Sequence, residues 1–229
     1  MAKSVTDKRT VAALLLLLAA AATAPGVSAQ SAASEAEQRL FLDGHLANLP
    51  DKAAVRYDYA KTGTLEPTLE DRVRLEVEKG PQGRRTHVDY LTGDNAFFLP
   101  DIESANGNPV ILSFLERDVR EMERRTGGRA NYFRRRVRLA LAEDAQIDAV
   151  TVDLDGRPLE AVRISIRPYL DDPLKARFRA FAGKVYFFTI CPKVPGMVYE
   201  MRTEVRDAGA PPEAPPLVVE QVVYAGAEP

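Results

Sequence analysis

Hydrophobic and polar residues alternate along three segments in the first half of the chain, at 55–59, 73–77 and 86–90. A period of two places one set of side chains on a buried face and the other set in water, which is typical of antiparallel strands. A fourth short strand is predicted at 96–99, after the turn sequence at 93–95. The pattern therefore predicts an antiparallel meander in this part of the chain.

Apolar residues at helical spacing are found before and after this meander. At 34–49 a capping-box pattern precedes an apolar stripe, so a helix is predicted there. A second helix is predicted to begin at Pro109, with Asn108 as its cap, and to end at the glycines 127–128. The apolar residues of 131–142 match both periods, so this segment is predicted to be either a third helix or a strand.

Strand patterns return in the second half of the chain, and one of them contains the hairpin signal Asp155-Gly156. A short helix is predicted at 172–183, between two of these strands. The predicted strands of this half are 147–154, 159–167, 185–191, 197–205 and 217–224. The order of elements predicts an α+β fold, in which helices pack on one face of a curved antiparallel sheet of about nine strands.

The first 29 residues have the three parts of a secretion signal: a basic start, an apolar run at 11–24, and small residues before a cleavage position. We predict cleavage after Ala29. The apolar run is shorter than the ~20 residues that span a bilayer, which favours a cleaved signal over a permanent anchor. We therefore expect a single α+β domain at 30–229 that is exported to a bacterial periplasm.

Charge and composition exclude several classes of function. The net charge of the chain is −2, and it becomes −4 once residues 1–29 are removed, so no nucleic-acid partner is predicted. With only His45, His87 and a single cysteine, Cys191, the sequence predicts no metal site and no cofactor. Cys191 is interpreted as a small buried residue, with a reactive thiol or an intermolecular disulfide as the alternatives. No nucleophile-elbow motif is present, so an enzyme, such as a hydrolase, is the third-ranked hypothesis.

Arginines are concentrated between residues 117 and 138. In the first part of this region acidic residues are interleaved, and they are expected to pair with the arginines along a helix. The second part has no acid nearby in the sequence, so a solvated face and a binding surface for lipid headgroups or an acidic partner protein stay equally open. The residues of this predicted surface are Arg134, Arg135, Arg136 and Arg138.

Two pairs of adjacent phenylalanines, 97–98 and 187–188, must point to both faces of their strands. Apolar side chains on both faces of a strand indicate either that both faces are buried or that one face lines a ligand pocket. Core packing is the favoured interpretation. On the second interpretation, the predicted ligand-binding residues are Phe98, Phe114 and Phe188.

The N-terminal helix, the strand meander, the helical insertion that starts at 108–112 and the later hairpins resemble the LolA/LolB-type periplasmic lipoprotein carriers in their order. The runs 107–118 and 131–136 also resemble an uncharacterised family of exported bacterial proteins. The first resemblance implies an incomplete barrel whose concave apolar face holds acyl chains. The leading hypothesis is therefore a non-enzymatic periplasmic carrier or chaperone for an apolar ligand or a lipoprotein. The alternative is an accessory protein that docks on another exported protein.

Overall fold

One antiparallel sheet of nine strands organises the protein in this computed structural model, which describes residues 32–211 and 213–228. The predicted signal peptide at 1–29 and its cleavage after Ala29 lie outside the described residues. The strands are β1 Lys52–Thr62, β2 Leu69–Gly80, β3 Gly83–Tyr90, β4 Ile102–Ala105, β5 Gln146–Leu154, β6 Arg157–Ile166, β7 Val185–Ile190, β8 Val198–Val205 and β9 Val218–Glu228.

The sheet has the order β4-β3-β2-β1-β9-β8-β7-β6-β5, and every neighbouring pair is antiparallel. It is open, because β4 and β5 each have a neighbour on one side only. The register pairs buried residues with buried residues, as in Val55 with Leu75 and Tyr57 with Val73. The predicted α+β class, with a curved antiparallel sheet of about nine strands, is confirmed.

Within the described residues, four α-helices accompany the sheet: α1 Glu35–Glu37, α2 Val110–Thr126, α3 Ala130–Glu143 and α4 Lys175–Phe178. The Asn108 side chain accepts a hydrogen bond from the Val110 N–H and so caps the start of α2. Gly127 ends α2 in the left-handed conformation, at a φ of 66°. Segment 131–142 lies in α3, so of the two structures predicted for it, a helix or a strand, the helix is the one that forms. No helix within the described residues is long and apolar enough to cross a membrane.

The core lies between the sheet and the two long helices. One side of α2 buries Ile111, Phe114 and Met122 against the inner side chains of the strands, and α3 buries Phe133 and Val137. Because the strands alternate, their opposite face carries the charged residues. The helices therefore cover the inner face of the sheet.

The N-terminal helix predicted at 34–49 is wrong in its extent. The capping box at Ser34 and Glu37 forms as predicted, but α1 continues into one wide π turn at Gln38–Leu42 and then stops. Asp43 has an extended backbone, and a short 3-10 turn follows at His45–Asn48. The buried ring of His45 explains the break, because its Nδ1 accepts the Asn108 N–H and its Nε2 donates to the Arg39 carbonyl.

The fourth strand predicted at 96–99 is also wrong. Only a single bridge joins Phe97 to Tyr90 there, and the strand next to β3 is β4, three residues further along the chain. The short turn at Gly93–Asn95 leaves Ala96 to Leu99 with too few partners for a ladder. Phe97 is held by one backbone hydrogen bond, from its N–H to the Tyr90 carbonyl at 2.8 Å, and by a ring contact with Tyr90, whose centroid is 6.3 Å away.

A histidine on the outer face of β3 links that strand to the chain before β4. His87 contacts Asp101 through Nδ1 at 2.7 Å and Asp89 through Nε2 at 3.2 Å. The hydrogen bond with Asp101 raises the pKa of His87, and the same bond lowers the pKa of Asp101. A raised histidine pKa stabilises the fold below 6.5, and a lowered carboxyl pKa stabilises it above 3.8.

We expect the His87–Asp101 pair to stabilise the fold most between pH 3.8 and pH 6.5. This stabilisation should be lost as the pH rises through the folded-state pKa of His87. Since both side chains are partly solvent-exposed, water screens the pair and its contribution is no more than about 1 kcal/mol. Urea unfolding at about pH 5 and about pH 8 measures how much the free energy of unfolding falls between these two pH values. We expect a smaller fall in His87→Ala than in the unmodified chain. An equal difference in both proteins would contradict this assignment.

Candidate functional site

An apolar groove of about 540 Å³ lies between α2 and α3 on the outer side of the helical layer. Leu112 is 44% exposed, which is unusual for a leucine in a domain with a well-filled core. The apolar residues of the groove come from both helices, the N-terminal π turn and the chain before β4: Phe41, Leu99, Leu112, Leu115, Val119, Val137 and Leu141.

Helical spacing explains why these residues meet. On α2, residues 112, 115 and 119 are three or four positions apart, and on α3 the same holds for 137 and 141. α2 thus presents an apolar stripe to the groove in addition to the stripe that faces the sheet, whereas on α3 the buried residues Val137 and Leu141 belong both to the core and to the wall of the groove. The sequence signal for this groove is Leu112, an apolar residue of α2 outside the stripe that faces the sheet, and the predicted site residues do not include it.

Charged side chains form the rim of the groove: Glu116, Arg134 and Arg138. Arg134 donates to both carboxylate oxygens of Glu116, at 2.8 and 2.5 Å, and this contact lowers the pKa of Glu116. Arg138 is exposed and forms no hydrogen bond or ion pair with any residue that the structure describes. The rim therefore has one cation that is free to meet an anionic group.

The structure divides the four arginines of the predicted headgroup or partner surface into two kinds. Arg134 is paired with Glu116, and Arg136 is paired with the buried carboxylate of Asp172 at 2.8 Å. Both acids come from distant parts of the chain, which is why local sequence gave no sign of them. Arg135 and Arg138 have no such partner within the described residues, so only these two are available for binding.

The three predicted ligand-binding phenylalanines are not brought together. Phe114 and Phe188 contact each other edge to face in the core, with ring centroids 6.1 Å apart, and both are buried. Phe98 is 69% exposed and lines a depression of about 650 Å³ on the outer face of the sheet, where Arg72 and Arg74 also lie. That these residues contact a ligand stays a prediction.

A buried polar network attaches α2 to the sheet. Asp118 forms an ion pair with Lys184, and its second oxygen accepts a hydrogen bond of 2.5 Å from the Tyr186 hydroxyl. Burial and the neighbouring carboxylate raise the pKa of Tyr186 well above 10.0. One residue earlier on α2, Arg117 forms an ion pair with Glu220 of β9. These contacts fix the rotation of α2 and so determine which of its residues face the groove.

The chemistry of the remaining candidate residues is structural. Burial lowers the pKa of His45, and one neutral tautomer satisfies both of its hydrogen bonds. The Cys191 thiol is buried and lies 3.4 Å from the Glu160 carbonyl oxygen. Within the described residues, no group of three or more histidine, cysteine or carboxylate side chains is placed to hold a metal ion.

Comparison with known proteins gives no match to any family model and no match to any curated protein. Two solved structures are similar in the arrangement of their elements. One is the lipoprotein LppX of Mycobacterium tuberculosis, at 11% identity and a TM-score of 0.31, over 75% of this chain and 84% of that one. The other is a LolA superfamily protein of Nitrosomonas europaea, at 10% identity and a TM-score of 0.22, over 84% of this chain and 89% of that one.

Proposed function

We propose that the protein is an exported, non-enzymatic carrier whose ligand is an acyl chain with an anionic end, bound in the groove between α2 and α3. The observation that carries this proposal is the groove itself, in which seven apolar side chains lie beside an unpaired cation. Its volume of about 540 Å³ lies within the range of about 300–1,000 Å³ that is usual for small-molecule sites.

The electrostatics of the rim favour an anionic ligand. The charge of Glu116 is balanced by Arg134, and Arg120 lies 3.6 Å from the same carboxylate. Arg138 adds a guanidinium that can donate two parallel hydrogen bonds to a carboxylate or a phosphate. A fatty-acyl chain therefore fits the apolar walls, and its charged end fits the rim.

This site differs in position from the concave-face site that the sequence analysis predicted. A ligand between the sheet and the helices would have to displace the contact between Phe114 and Phe188. A ligand in the groove displaces no described side chain from the core. We therefore place the ligand on the helical layer, and propose that the exported domain comprises residues 30–229.

The proposal is tested with the mature chain and a fluorescent fatty acid. We expect Leu112→Glu to weaken uptake by about tenfold or more, because it puts a carboxylate against the acyl chain. Leu65→Glu is the matched control, since Leu65 is 49% exposed and lies outside the groove. Arg138→Glu should weaken binding of the fatty acid but leave binding of a fatty alcohol of equal length unchanged.

Native mass spectrometry of protein purified from a periplasm gives an independent test. A co-purifying lipid that is lost in Leu112→Glu would support the carrier. A ligand-free mass, together with no fatty-acid uptake, would contradict it.

The second candidate function is docking on another exported protein. It is favoured by β5, an edge strand of nine residues that contains no proline and no lysine to block pairing with another chain. A co-purifying protein instead of a lipid would favour this function.

A further inference from the structure

The chain between β6 and β7 exposes two leucines. Leu170 is 43% exposed and Leu174 is 39% exposed. They flank the short stretch Asp171 to Pro173, at the outermost part of the segment 167–179, which we call the β6–β7 segment. Neither leucine lines the groove.

The two leucines face outward because their neighbours are firmly attached to α3. The fully buried carboxylate of Asp172 accepts hydrogen bonds from the Tyr132 hydroxyl at 2.7 Å and from the Leu174 N–H at 2.7 Å. Tyr169 and Phe178 are buried against Phe133 at the two ends of this stretch. Tyr169, Asp172 and Phe178 point inward. Leu170 and Leu174, which lie between them along the chain, therefore point outward.

Exposed cations lie close to the two leucines along the chain, at Arg167, Lys175, Arg177 and Arg179, and a further exposed cation, Arg135, lies on α3. Arg135 lies one helical turn from Tyr132, which bonds to the segment. None of these five side chains forms an ion pair with a residue in the described ranges, although arginines elsewhere do, such as Arg39 and Arg74. Asp171 is the one exposed acid within 167–179. The chain as a whole has a net charge of −2, so positive charge is concentrated here.

We propose that the β6–β7 segment, together with Arg135, docks the protein on an anionic lipid membrane. Exposed leucines can enter the boundary between headgroups and acyl chains, while the flanking cations contact phosphates. The long stems of arginine and lysine reach the headgroup level from around an inserted leucine. Free cations and exposed aliphatic side chains thus fit the same partner.

A protein partner fits this surface less well. Protein interfaces are enriched in exposed aromatic residues, whereas the aromatic side chains of this segment, Tyr169 and Phe178, are buried. The membrane assignment does not rest on the groove or on its ligand. A protein without acyl-chain uptake could still bind vesicles here.

The test is co-sedimentation of the mature chain with vesicles of phosphatidylcholine, alone or mixed with an equal amount of phosphatidylglycerol. We expect partition to the anionic vesicles only, and a decrease as salt rises. The double variant K175E/R177E should weaken it by about 25-fold, or about fivefold for each cation lost. The double variant L170S/L174S should weaken it by about tenfold, because the apolar contribution is lost.

The control variants are K52E/K193E, which reverse two exposed cations outside this surface, and Leu65→Ser. Both should bind vesicles as the unmodified chain does. Three results would overturn the proposal. They are binding to neutral vesicles as tight as to anionic ones, a loss of binding in K52E/K193E as large as in K175E/R177E, and unchanged binding of L170S/L174S. Absence of vesicle binding together with capture of an acidic protein that depends on Lys175 and Arg177 would also overturn it and assign the surface to a protein partner. Fatty-acid uptake by the same variants, measured without vesicles, distinguishes failure of this proposal from failure of the carrier proposal.

Discussion

Replacing Asp118 by alanine is expected to lower the free energy of unfolding by about 3–5 kcal/mol. Asp118 and Lys184 are 2% and 3% exposed, and they form an ion pair between α2 and the start of β7. Removal of the carboxylate leaves the ammonium group of Lys184 buried without a counter-charge. It also removes the acceptor of the Tyr186 hydroxyl. Urea unfolding of the purified variant measures the loss.

Two matched variants separate the buried charge from the packing. Asp118→Leu combined with Lys184→Met removes both charges and keeps most of the volume, so we expect a much smaller loss than in Asp118→Ala. Glu35→Ala breaks an exposed ion pair with Arg39 and should cost less than about 1 kcal/mol. A loss below about 1 kcal/mol in Asp118→Ala would show that Lys184 reaches water when its partner is removed.

The buried pairs matter for the groove because they act on the opposite side of the same helix. Arg117 and Asp118 contact the sheet side, at Glu220 and Lys184, while Leu115 and Val119 line the groove. A helix held by apolar contacts alone can rotate or slide with little loss of buried area, whereas two ion pairs define one register. We infer that these pairs set the shape of the groove without lining it.

The sequence was most informative where one local period was repeated. Alternation in 73–77 and 86–90 predicted β2 and β3, and the helical stripe after Asn108 predicted α2 with its C-terminal glycine. It failed where a distant contact overrides local propensity. The N-terminal helix ends early because the His45 ring bonds to Asn108, which lies 63 residues away along the chain.

The candidate site was harder to predict than the fold for the same physical reason. Arg134 and Arg136 were grouped with Arg135 and Arg138 because local sequence shows four similar cations. Their partners, Glu116 and Asp172, are 18 and 36 positions away and become neighbours only through the packing of α3. Which cations are free to bind is thus a property of tertiary structure. The exposure of Leu170 and Leu174 is also a property of tertiary structure, because both leucines face outward when Asp172 between them is buried.

Replacing Phe133 by alanine is expected to cost about 3–5 kcal/mol of unfolding free energy. Phe133 is fully buried on α3, and its ring contacts Tyr169 and Phe178 with centroids 5.7 and 5.5 Å apart. The truncation leaves a cavity between α3 and the β6–β7 segment and removes three edge-to-face ring contacts, since the Tyr132 ring also packs on Phe133. Phe98→Ala is the matched control, because Phe98 is largely exposed, and it should cost less than about 0.5 kcal/mol.

The same change also tests how the fold presents the proposed membrane surface. Tyr169 and Phe178 hold the two ends of the stretch that carries Leu170 and Leu174, and both rings pack on Phe133. We therefore expect Phe133→Ala, at a temperature where the variant is still folded, to bind anionic vesicles less tightly than Phe133→Leu, which keeps most of the buried volume. Equal vesicle binding by the two variants would mean that Asp172, through Tyr132 and Arg136, is sufficient to hold the segment in place.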